Sequence, residues 1–129
     1  MPNFRINKSS GGSGGAYTSE LIWDYVNDNS NTIPFGLYDV TLNESIDDYD
    51  AVIIMVKSYS GDTGNWSVPT SLYLSVDSLK NNPLNPNHFS FTSFSDRASA
   101  FYLSGSTFTK LQDNVSNTNG LVAVYGIKY

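Results

Sequence analysis

The stretch SIDDYDAVIIMVK, Ser45 to Lys57, sets three aspartates within four residues against six consecutive apolar ones. Two readings compete for it. Asp48-Tyr49-Asp50 matches the D-x-D pattern with which sugar-nucleotide transferases hold a divalent cation, but a polar turn running into a buried strand has the same composition. The transferase reading needs a parallel nucleotide-binding sheet whose strands are joined by crossover helices. No stretch of this chain has the apolar spacing of an amphipathic helix of about ten residues or more. The carboxylates therefore read as a solubilising turn. The strand after them points Val52, Ile54 and Val56 one way and Ala51, Ile53 and Met55 the other, so it is apolar on both faces and is expected to be central or covered by another chain.

Working outward, short strands recur between turn residues, the pattern of a sandwich or barrel. Glu20 to Val26 is a first strand, and Phe35 to Leu42 alternates with Tyr38, Val40 and Leu42 toward the core. Ser71 to Val76 sends Leu72, Leu74 and Val76 inward and Ser71, Tyr73 and Ser75 outward. His88 to Phe94, Ala98 to Ser104 and Ser106 to Leu111 follow, the last two joined at Ser104-Gly105, where glycine supplies the positive φ of a tight hairpin. Gly120 to Tyr129 closes the chain as a second two-faced strand. Between Asp77 and Asn87, Pro83 and Pro86 leave room for one helical turn at most. Residues 1 to 16, ending KSSGGSGGA, are small, polar and glycine-rich and are expected to form a flexible arm or linker, with the β-sandwich domain spanning 17 to 129. The fold class expected is all-β, an antiparallel, jelly-roll-like sandwich.

Composition narrows function. The chain has 129 residues, no cysteine and a net charge of −5, with seven basic residues scattered from Arg5 to Lys128. One domain is expected, without disulfides or thiolate metal sites, and without the basic surface that nucleic acid requires. The longest apolar run, Ala51 to Val56, is too short to cross a bilayer. Catalytic signatures are missing: His88 is the only histidine, no nucleophile-base pattern accompanies it, and GGSGG has no strand before it or helix after it to make a phosphate cradle. No cofactor is called for.

Aromatic residues are plentiful among Ser, Thr and Asn, a surface chemistry suited to carbohydrate. It is densest in KSYSGDTGNWSVP, Lys57 to Pro69, where Tyr59, Asp62, Asn65 and Trp66 combine aromatic faces for sugar C–H patches with planar groups for hydroxyl pairs. Trp66 folding back as a core anchor is the competing reading. Arg97, beside Asp96, is a further candidate for a charged ligand, and His88 stands next in order.

Three segments in sequence, TLNESIDDYDAVIIMV, FYLSGSTFTKL and VAVYGIKY, together resemble the carboxy-terminal head modules of bacteriophage tail-fibre and receptor-binding proteins. In those modules a TLxxSIxxYDxxxI strand opens the head and a YGIK strand ends it. The resemblance runs from about Ser19 to Tyr129. It implies a β-sandwich head, usually a homotrimer, on the tail or capsid surface of a virion, that binds host cell-surface polysaccharide without cleaving it. The 16 residues before the module would join it to other virion proteins. A structural capsid-decorating or head-fibre protein anchored through those residues is the alternative.

Overall fold

The computed structural model describes residues 4–7, 16–28, 32–58, 69–93, 97–115 and 118–129. Their strands are β1 (Phe4–Asn7), β2 (Ala16–Asp24), β3 (Tyr38–Thr41), β4 (Ala51–Lys57), β5 (Thr70–Ser75), β6 (His88–Ser93), β7 (Arg97–Ser104), β8 (Thr107–Asp113) and β9 (Gly120–Lys128). Every pairing is antiparallel, giving one sheet in the order β1-β2-β9-β4-β5 and a second in the order β3-β8-β7-β6. The two pack face to face, so the chain is the all-β sandwich its alternation implies. In a jelly roll the chain behaves as one long folded hairpin, first strand against last and second against penultimate, and so inward. Here β2·β9 and β3·β8 obey that rule, while the inner strands pair locally as β4·β5 and β6·β7.

The core follows from the period of two. Val52, Ile54 and Val56 of β4 share the interior with Ile22, Leu121 and Val124, and meet Phe101, Leu103 and Phe108 from the second sheet. Phe101 lies 5.2 Å from Phe89 and 5.3 Å from Phe108, centroid to centroid. Each such side chain taken out of water stabilises the fold by about 1.5–3 kcal/mol. β4 is central, as its two apolar faces require, and its outward neighbours Ala51, Ala123, Tyr125 and Ile127 are also buried within one chain. That apolar row therefore does not by itself demand a second copy, and the expectation of a trimer rests on the resemblance alone.

The acidic triplet is a hinge of the fold. Ile46–Asp48 makes one 3-10 turn, capped where the Asp47 amide donates to the Ser45 hydroxyl at 3.1 Å. Asp47 pairs with Lys80 at 2.6 Å across the surface, both side chains being about half exposed. The Asp50 carboxylate accepts the Tyr129 amide at 2.8 Å, and the Asp50 backbone bonds Ile127 and Val76. The same turn holds the β7–β8 hairpin: Ile46 and Leu42 donate their amides to the carbonyls of Gly105 and Ser106, and Gly105 takes the positive φ of 56° expected of it. Between Asp48 and Asp50, the ring of Tyr49 lies over Gly126 of β9, and its hydroxyl is 2.5 Å from Glu20 and 2.9 Å from Glu44.

Three boundaries differ from expectation. Phe4–Asn7, inside the segment read as an arm, is the edge strand β1, in register with Ala16 to Ser19. Phe4 and Ile6 alternate with Arg5 and Asn7, a strand pattern too short to stand out before a glycine-rich run. β2 likewise begins at Ala16, because Ala16 and Tyr17 pair with Asn7 and Ile6 of β1, and Thr18 and Ser19 add the end of β9 as a second partner. Val76, expected to end β5, instead opens the helix α1 (Val76–Lys80), whose five residues are capped by the Ser75 hydroxyl and end before Pro83. The remaining stretch, 8–15, lies outside the described residues.

A β-carbon at Gly126 would sit 2.6 Å from the Tyr49 ring, so neither can keep its place. Gly126→Ala is expected to cost about 1–3 kcal/mol through overpacking, measured as a lower urea midpoint; Gly105→Ala, which meets no atom within 4 Å, bears only the strain of its positive φ.

Candidate functional site

Alternation along the second sheet sends Phe89, Ser99, Phe101, Leu103 and Phe108 inward and leaves small and polar residues outside. The register sets these in rows across β8, β7 and β6: Thr109, Tyr102 and His88 in one, Gln112, Ala100 and Ser90 in the next. Because Ala100 and Ala98 stop at the β-carbon while Gln112, Asn114 and Ser90 rise on either side, the rows enclose an open groove of about 230 Å³. Its lining, completed by Ser99, carries no ionisable side chain. Asn114 is held to β7 by two bonds, its amide to the Ala98 carbonyl at 3.0 Å and its Oδ1 to the Ala98 amide at 2.8 Å. One row along, the half-buried Tyr102 ring meets His88 edge-on at 5.1 Å. The His88 Nδ1 lies 2.9 Å from the Pro86 carbonyl; a carbonyl only accepts, so Nδ1 is the donor of that bond. Chemically the surface offers an apolar floor, amides, hydroxyls and one aromatic edge.

The wall of this groove depends on a β-bulge. Phe101 opposes Lys110 and Ala100 opposes Gln112, so Leu111 is an extra residue on β8. In a regular strand residues three apart face opposite ways; the inserted residue turns both Lys110 and Asp113 inward and Gln112 outward. Lys110 is then wholly enclosed, with Nζ 3.0 Å from the Asp113 carboxylate and donating to the carbonyls of Phe35 and Thr118. All three ammonium protons are thereby placed. The Tyr38 ring lies 5.1 Å from the same nitrogen.

Around this ion pair a polar network ties the loop end of the sandwich together. Ser99 donates to the other Asp113 oxygen at 2.5 Å, and Asn119 donates to Ser99 at 2.8 Å and to the Arg97 carbonyl at 3.1 Å. Asn119 holds a positive φ of 53°, a region that asparagine tolerates better than most residues, and its carbonyl accepts the Tyr38 hydroxyl at 3.1 Å. Burial pushes the Tyr38 phenol well above its ordinary value, helped by the Asp113 charge, and burial pushes Lys110 down against the opposing pull of Asp113. Burial also raises Tyr49, aided by the two glutamates on its hydroxyl.

Of the residues singled out in the sequence, Tyr59, Asp62, Asn65 and Trp66 lie outside the described residues; Ser58, the last described residue before them, has its hydroxyl 3.4 Å from that of Thr118. Arg97 opens β7, half-buried, on the inward-facing parity of that strand, and is not part of the groove. His88 does face outward, beside Tyr102. Gln112, Ser90, Ala98 and Ala100 were not singled out. The signal for them was the pair of alanines at alternate positions in ASAFYLS, which marks a low place on a sheet surface only once the neighbouring strands are known. Compared with known proteins, the sequence matches no family model and has no significant match among curated proteins.

The protonation of the buried tyrosines sets an alkaline limit. In the unfolded chain they ionise near 10 and in the folded one they keep their protons, so their stabilisation is whole below pH 10 and is lost above it, by about 1.4 kcal/mol per pH unit for each tyrosine. Lys110, with its lowered pKa, acts in the opposite sense, adding stability as pH rises toward its unfolded value of 10.5. Beyond that pH Lys110 adds nothing further. Urea midpoints measured from pH 8 to 11.5 are expected to fall above pH 10, and less steeply in Tyr38→Phe.

Proposed function

We propose that this chain is a non-catalytic virion module that binds glycans on the bacterial surface, as the receptor-binding head of a tail fibre or baseplate. The observation that carries the reading is the groove on the second sheet, where two amides, a serine hydroxyl and an alanine floor lie beside the half-buried Tyr102 ring. Polysaccharides present alternating hydroxyl pairs and C–H patches, and that surface is complementary to both. The resemblance of the TLNESIDDYDAVIIMV and VAVYGIKY segments to phage head modules supports the same reading. So does an acidic chain without a basic patch. In a homotrimer three such grooves would act together, raising avidity for a repetitive polymer without any further contact.

The alternative of a capsid-decorating protein needs residues 1–16 for anchoring. Pairing of Phe4–Asn7 with β2 leaves less of that segment for another virion protein, which favours the receptor-binding reading.

The full chain, applied to an array of bacterial surface polysaccharides, is expected to retain a small set of them. Their reducing ends should not increase on prolonged incubation. Absence of binding across the array, or release of new reducing ends, would reject the proposal; light scattering on the same sample, reading three protomer masses, supports the trimer and one protomer mass refutes it.

A further inference from the structure

The proposed function leaves open the kind of sugar, and the chemistry of the groove narrows it. Acidic surface polymers carry phosphates or uronates, and a site for them uses arginine or lysine at bonding distance. Among the described residues, the outward-facing positions of β3, β6, β7 and β8 hold no lysine or arginine. The acidic and basic side chains there are Asp39, whose carboxylate accepts the Thr109 hydroxyl at 2.6 Å, and His88.

The cations near the groove in sequence do not face it: Arg97, next to Ala98, lies on the inward-facing parity of β7. Lys110 is enclosed against Asp113, and Lys80 pairs with Asp47 at the far end of the sandwich. An anion approaching the groove would meet Asp39 and a protein of net charge −5, with no lysine or arginine among the described outward residues of this sheet.

Size points the same way. A groove of about 230 Å³ falls below the roughly 300–1,000 Å³ of sites that enclose drug-sized ligands, and it is open along the sheet, so one ring of a longer polymer fits it while the polymer continues on both sides. The methyl groups of Ala98 and Ala100 meet the C–H face of such a ring. The Gln112 amide, which can donate and accept at once, is placed for a pair of adjacent hydroxyls, with Ser90 opposite.

We infer that the groove between Gln112 and Ser90 takes a neutral pyranose unit of a surface polysaccharide, seated on Ala98 and Ala100, and discriminates against phosphorylated and uronate-bearing polymers. The inference rests on the glycan-binding reading above.

Its test is an amide-shift titration of the isotope-labelled full chain with neutral trisaccharides of glucose, galactose and N-acetylglucosamine, and with oligogalacturonate and oligoglycerol phosphate, at 50 and 500 mM salt, a change that screens charged ligands and leaves a neutral one unaffected. Shifts at Ser90, Ala98, Ala100 and Gln112 with at least one neutral trisaccharide, changing less than about twofold in affinity with salt, are expected. Gln112→Ala is expected to weaken that binding about five- to tenfold at unchanged melting temperature, and Ala100→Leu to abolish it by filling the floor. Should Ala100→Leu melt early, Gln112→Ala, at an exposed position, decides alone. Groove shifts with the acidic oligomers, or a steep loss with salt, would overturn the inference. If the array is positive but the neutral sugars leave the groove unperturbed, or perturb only Arg97 and segment 59–66, the inference falls while the glycan-binding reading stands. If array and titration are both blank, both fall.

Discussion

One inserted residue, Leu111, decides both the inside and the outside of the second sheet. By breaking the alternation of β8 it brings Lys110 and Asp113 to the same side, closes an ion pair within the sandwich, and turns Gln112 outward opposite Ala100. Without the bulge Gln112 would point into the core and Asp113 into solvent. The buried charges and the groove are thus two results of a single change of register.

A buried ion pair is a costly way to gain stability, since each charge gives up its hydration and apolar residues of similar volume often serve as well. What this pair supplies is position. Lys110 bonds the chain before β3 and the chain before β9; Asp113 and Asn119 carry the network on to Ser99 and Arg97. Segments far apart in sequence are held at fixed spacing where β3, β7 and β9 begin and β8 ends, a task for which directional bonds suit better than interchangeable methyl groups.

Much of the sandwich was legible because a strand with one wet face must alternate. Tyr38-Val40-Leu42 and Leu72-Leu74 announce their inward faces, Gly105 its hairpin, and the proline pair its short helix. The bulges at Ile22, Leu111 and Val122 were not legible, since an extra residue looks like any other until the partner strand fixes the count. β1 was hidden for a related reason: its four residues gain a strand conformation from β2, not from their own preference. The candidate site was the least legible part. Sequence reasoning looked for aromatic and polar residues clustered along one loop, whereas the groove draws Ser90, Ala100 and Gln112 from three strands, and its floor consists of what alanine lacks.

Tyr49 lies just before β4 and Gly126 within β9, and the ring of one occupies the space left by the missing side chain of the other. They form a lock and its keyhole. Across any set of chains built on this plan the two positions should therefore vary as a unit: where the glycine gives way to a larger residue, the tyrosine should shrink with it. Such paired change would identify relatives whose individual segments are too short to be recognised, and would do so through a contact between strands rather than through similarity along the chain.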